Sequence, residues 1–162
     1  MVPIDPERLG SPGALEWHEA GHAVVAHLLG AEIYEVTLES DDDAFSGRVS
    51  AAWHGRSPKD AATSSGCAAL AGPLAELSFE GQVDPEDSGI RAAWNGDWQE
   101  VERCAALVEP DPELRTDVIR AWIERVEALV EEPRTDELIA RVADALSAHG
   151  TLDETLFLDA IA

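Results

Sequence analysis

The sequence predicts one mainly α-helical domain carrying a small β-hairpin or sheet. Ser-Pro and Asp-Pro pairs punctuate the chain where helices would start, since a proline at the first helical position gives up no needed hydrogen bond. Only one stretch, residues 32–53, alternates and carries β-branched residues in the manner of strands. At 162 residues and 45% hydrophobic composition, the chain suits one core and is too apolar to stay disordered. A single domain over 1–162 is expected, with 1–10 as an N-terminal extension.

Ser11-Pro12 opens a helix running to about Leu29 and stopping at Gly30. Residues 32–39 read as a strand, Asp41–Asp43 as a turn, and 47–53 as a second short strand. Ser57-Pro58, with Asp60 completing a Ser-x-x-Asp cap, opens a helix to about Phe79. Gly72-Pro73 falls inside it and predicts a kink or break. Residues 81–96, rich in Gly, Pro and Asp, read as a loop. Helices follow at roughly 97–109, 112–132, 136–148 and 152–161, divided by Pro110, Pro133 and Gly150.

The net charge is −22, from 11 basic against 33 acidic side chains. Such a surface repels phosphate backbones and anionic lipid, which argues against nucleic-acid and membrane-surface partners. No apolar run approaches the ~20 residues of a membrane span. The opening MVPIDPERLG lacks the basic and apolar segments of a secretory signal, so a cytoplasmic protein is expected. Cys67 and Cys104 sit in apolar helical patterns and read as small buried hydrophobes. Trp17, Trp53, Trp94, Trp98 and Trp122 are expected mainly in the core.

Chemistry concentrates at His18-Glu19-Ala20-Gly21-His22 in the first helix. Residues four apart share a helix face, with Cβ atoms about 5–6 Å apart. Two imidazole nitrogens can then reach one Zn²⁺ at about 2.0–2.1 Å. Glu19 stands close enough to the open metal position to act as a base toward water. With 5 His and 19 Glu in the chain, chance supplies roughly 0.02 matches to H-E-x-x-H. Both histidines also lie on a core-facing stripe, Leu15, His18, His22, Val25 and Leu29, where a lone histidine would be a packed core residue. Two of them flanking a glutamate favour metal instead. Gly21, which costs a helix about 1 kcal/mol relative to Ala, suggests that something approaches this helix closely. His27, His54 and His149 lack such spacing and read as structural.

A catalytic zinc needs a third protein ligand and one open position. The candidates are Glu76, Asp84, Asp87 and Asp97. Asp97-x-x-Glu100 is equally a helix cap pair, and spacing alone does not separate Glu76 from Asp97.

HEAGHAVVAHLLGAEIYEVTLES resembles the peptidase domain of the FtsH family, the ATP-dependent zinc metalloproteases. EVTLESDDDAFSGRVSAA looks like that family's strand pair after the zinc helix, and AALAGPLAELSFEG like its Gly-Gly-Arg-Ala-Ala-Glu helix. NGDWQEVERCAALV is similar to its Asn-Asp-Leu helix, and the tail from Trp122 to Ile161 to its closing helices. The resemblance spans residues 14–161. It implies a zincin-like, FtsH-type fold, with His18, His22 and Asp97 on zinc and Glu19 as general base. It moves Glu76 to a supporting role.

Pro73 and Ala106 stand where the family has arginines, which touches ring contacts and ion pairs rather than the metal. The family's ATPase module and membrane anchors do not occur in these 162 residues. The expectation is therefore a stand-alone zinc metallopeptidase acting on unfolded chains or peptides, with a peptide strand added to the 32–53 hairpin. A separate ATPase supplying threaded substrate, and a homo-oligomer, are the partners left open. A zinc-stabilised binding module without catalysis is the alternative, and an intact Glu19 argues against it.

Overall fold

The computed structural model describes residues 13–39, 47–80 and 94–162. Ser11-Pro12, the turn at Asp41–Asp43, the 1–10 extension and most of the 81–96 loop lie outside them. The molecule is mainly helical with a small three-stranded antiparallel sheet, as the sequence predicts at that level.

Helix α1 (Ala14–Leu28) runs through the centre, with Ala20, Ala23, Val24 and Val25 fully buried. Glu16 reaches back to accept from the Gly13 N–H at 2.8 Å, satisfying one of the donors a helix start leaves open. At the other end Gly30 takes φ +101°, a conformation that favours glycine, and turns the chain into the sheet. β1 (Glu32–Thr37) pairs with β2 (Arg48–Ala52) on one side and β3 (Thr151–Asp153) on the other. A register shift between Ile33 and Glu35 lets Ile33 and Val36, three residues apart, both face the core. The order β2-β1-β3 leaves the outer edge of β2 without a strand partner among the described residues.

α2 (Pro58–Glu80) starts on the expected cap, Ser57 Oγ accepting from the Asp60 N–H at 3.2 Å. It continues as one helix through Pro73, so of the expected kink or break the break does not occur. One lost backbone bond is outweighed there by packing against α1 and against α3 (Asn95–Val108). α2 approaches α1 so closely that a Cβ on Gly21 would stand 2.6 Å from Ala75 Cβ and 2.7 Å from Ala71 O. That is the close approach the mid-helix glycine suggested.

α4 (Pro112–Glu131) and α5 (Pro133–His149) both place proline at their start. α5 begins three residues before the expected 136, because Pro133 is its first residue rather than a divider. The expected helix at 152–161 is corrected as well. Residues 151–153 form β3, and α6 (Glu154–Ile161) follows, capped by Asp153 accepting from Leu156 N–H at 2.8 Å. Gly150, at φ +75°, turns the chain so that Leu152 enters the core beside Val36, and Thr151 Oγ1 bonds Thr37 Oγ1 at 2.7 Å. Phe157, Leu146, Val142 and Leu152 close that core. Among the described residues no helix is long and apolar enough to cross a membrane.

Candidate metal centre

Three helices deliver the site. α1 contributes His18, Glu19 and His22, the first turn of α3 contributes Asp97, and α2 lies behind with Ala68, Gly72 and Glu76. His18 Nε2 stands 2.8 Å from Asp97 Oδ2 and 3.1 Å from His22 Nε2. His22 Nε2 lies 3.2 Å from Asp97 Oδ1. These donor atoms fall within 4.8 Å of one another.

The far ring nitrogens fix which lone pairs point inward. His22 Nδ1 is 2.7 Å from the Ala68 carbonyl oxygen, which can only accept, so this nitrogen carries a proton. His18 Nδ1 faces Glu76 Oε1 at 3.3 Å, again an acceptor. With both protons held on the outer nitrogens, the two Nε2 lone pairs converge on a carboxylate. Three electron-rich groups then meet at one point, where either shared protons or a metal ion must lie between them.

A tetrahedral ion bonded at 2.0–2.1 Å sets its ligands about 3.3–3.4 Å apart. The observed separations, 2.8–3.2 Å, are shorter than that spacing by about 0.1–0.6 Å, so the three groups need to spread by about half an ångström or less to admit the ion. Two imidazoles and one carboxylate are also a donor set suited to zinc. The residues present therefore fit the ion that the motif implies.

The electrostatics express the same demand. Burial opposes charge on His18, yet hydrogen bonds to Asp97 and Glu76 outweigh it and raise the imidazole to about 10. His22 is likewise raised, Asp97 overcoming its burial. Burial disfavours the Asp97 carboxylate, but His22 and His18 more than compensate and hold its carboxyl well below the usual range. Without a metal, the cluster keeps protons in the metal's place.

Glu19 is buried beside the cluster at 4% exposure. Its burial raises the carboxyl, while the two histidines and the Gly47 N–H pull it back. A Cβ on Gly47 would stand 2.5 Å from Glu19 Cδ, so the start of β2 closes directly over this carboxyl group. Gly72 serves His22 in the same way, since any side chain there would overlap the imidazole. A cleft of about 340 Å³ opens above, lined by Glu19, His22, Val49, Trp53, Asp97 and Glu100.

The structure brings His18, His22 and Asp97 together and sets Glu76 on the outer nitrogen of His18. Glu76 is held there by the Trp94 indole N–H, at 3.1 Å. Asp84 and Asp87 lie outside the described residues. His54 bonds Glu32 on the exposed side of the sheet, His27 packs edge-on against Phe157, and His149 ends α5. Cys67 and Cys104 are free and buried, and burial, partly offset by Arg125, pushes the Cys67 thiol up to about 11. Of the tryptophans, Trp122 is in the core, whereas Trp53 lines the cleft.

Sequence reasoning missed the Ala68 carbonyl, Gly47 and Gly72. A backbone carbonyl leaves no sequence signal. Gly72 carried one, but beside Pro73 it read as a bend. A scan of protein-family models and a search of curated proteins both find no match to the chain.

Proposed function

We propose that this protein is a zinc metallopeptidase that hydrolyses peptide bonds in unfolded proteins or peptides. The observation that carries the reading is the convergence of two tautomer-fixed imidazoles and one carboxylate beside a buried glutamate. His18, His22 and Asp97 would hold the ion. Zinc, when bound, polarises a carbonyl and makes water acidic near neutrality. Glu19 would act as the base toward a water held in the cleft and would return the proton to the departing amine. Its position under Gly47 keeps the carboxylate aimed into the cleft. Burial, which raises its carboxyl, makes it a better base than an exposed glutamate.

β2, whose outer edge has no strand partner among the described residues, lines the same cleft. An extended peptide added to that edge would lie along the metal side, as in β-strand addition. The reading includes a zincin-like fold of the FtsH peptidase type, action in the cytoplasm, and a separate ATPase only where a folded substrate must be unwound.

The test is a pair of variants. Glu19→Gln retains one zinc per chain and loses hydrolysis of unfolded casein, whereas His22→Ala loses both. Wild-type protein that holds zinc and cleaves no unfolded chain, with or without an added ATPase, would instead be a zinc-stabilised binding module.

A further inference from the structure

Beyond Trp53 the metal cleft borders a second, open cavity of about 300 Å³, lined by Gly55, Arg56, Asp60, Thr63, Ser64 and Arg125. The two spaces share a wall. Trp53 lines the first, and the Arg56 guanidinium, which lines the second, lies 5.3 Å from the centroid of the Trp53 ring. Ser65 faces the metal side, and its neighbour Ser64 faces the second cavity. β2 ends at Ala52, and Trp53 and Arg56, which follow it in the chain, carry this wall from the first space to the second.

The charge of this cavity departs from the rest of the molecule. Acidic side chains outnumber basic ones 33 to 11, so carboxylate partners are plentiful. Arg48, Arg103, Arg120, Arg134 and Arg141 each pair with one, whereas Arg115 bonds the backbone carbonyls of Glu109 and Pro110. Arg56 and Arg125 form no ion pair among the described residues, although Asp60 lines the same wall. Arg56 bonds Ser64 Oγ at 2.8 Å and the Leu29 carbonyl, and Arg125 contacts the Cys67 thiol. These bonds orient two guanidiniums that have no carboxylate within ion-pair distance among the described residues. A planar fork of N–H donors in such a setting matches a carboxylate.

We infer that the Arg56–Arg125 cavity is a carboxylate-binding subsite that holds an acidic side chain or the free C-terminus of a bound peptide, several residues from the metal. The inference rests on the proposed peptidase reading for its ligand class. In a chain of charge −22 the subsite also overcomes a general repulsion of acidic peptides at one chosen place.

Short alanine-rich peptides carrying Glu or Gln at successive positions, with free or amidated C-termini, provide the probe. Binding to zinc-loaded Glu19→Gln protein is read by tryptophan fluorescence and calorimetry. The Glu peptide, or the free acid, binds roughly tenfold tighter than its uncharged counterpart. Arg125→Gln erases that difference, and Arg125→Lys restores part of it. A difference that follows Glu position identifies a side chain, and one that follows amidation identifies the terminus. Equal binding of charged and uncharged peptides, or a preference that survives Arg125→Gln, overturns the subsite. Casein hydrolysis by wild type is scored separately. Cleavage without a charge preference keeps the peptidase and rejects the subsite, and a charge preference without cleavage does the reverse.

Discussion

Gly72→Ala separates metal binding from folding. In an exposed helix this exchange would add about 1 kcal/mol through helix propensity. Here the new Cβ meets the His22 ring, 2.8 Å from Cδ2 and closer still to Cε1 and Nε2. The obstacle is the end of a side chain rather than backbone, so the ring can swing away at little cost in stability. Ordinary contact distances require it to move by about 1 Å. That displacement breaks the 2.7 Å bond to the Ala68 carbonyl and takes Nε2 off the cluster. Metal bonds tolerate errors of about 0.2 Å, and loss of an orienting partner alone typically lowers affinity 10–100-fold. Gly72→Ala therefore melts within a few degrees of wild type in the chelated state, while zinc affinity, measured by chelator competition, falls at least tenfold. Wild-type affinity in Gly72→Ala would refute the placement of His22 as a ligand.

Gly21→Ala behaves oppositely. Its Cβ would press on Ala75 and on the Ala71 carbonyl, which cannot step aside, so denaturant titration should show a loss of about 1–3 kcal/mol. Asp97→Ala weakens zinc more than Glu76→Ala, because Asp97 faces the inner nitrogens and Glu76 only the outer nitrogen of His18; the reverse ranking in metal competition would reassign the third ligand. The melting temperature of chelated protein depends on pH. His18 is raised from 6.5 to about 10, so its contribution is complete below 6.5 and is lost as pH climbs through 10. Asp97 is depressed, so its contribution is present above 3.8 and is lost as pH falls. Chelated protein should thus melt highest between roughly pH 4 and 6.5. Zinc, replacing the protons, should abolish the alkaline decline in calorimetric scans.

The parts of the fold legible beforehand are those set by local chemistry. Ser57 and Pro58 mark the start of α2 because a cap acts within one turn. The His18–His22 pair was legible because helix geometry alone joins residues four apart. β3 was not legible. Three residues have no strand signal of their own, and Thr151–Asp153 become a strand through pairing with β1 after Gly150 turns the chain. The choice between Glu76 and Asp97 had the same character. Asp97 lies 79 residues from His18, and only the packing of α2 against α1 and α3 decides which ring nitrogen each carboxylate meets.

Anomalous diffraction from a crystal grown with zinc tests the metal centre most directly. One peak is expected about 2.0–2.2 Å from His18 Nε2, His22 Nε2 and an Asp97 oxygen, with Ala68 and Glu76 still on the outer nitrogens. Ordered rings with no peak between them, or a peak ligated by Glu76 in place of Asp97, would contradict it.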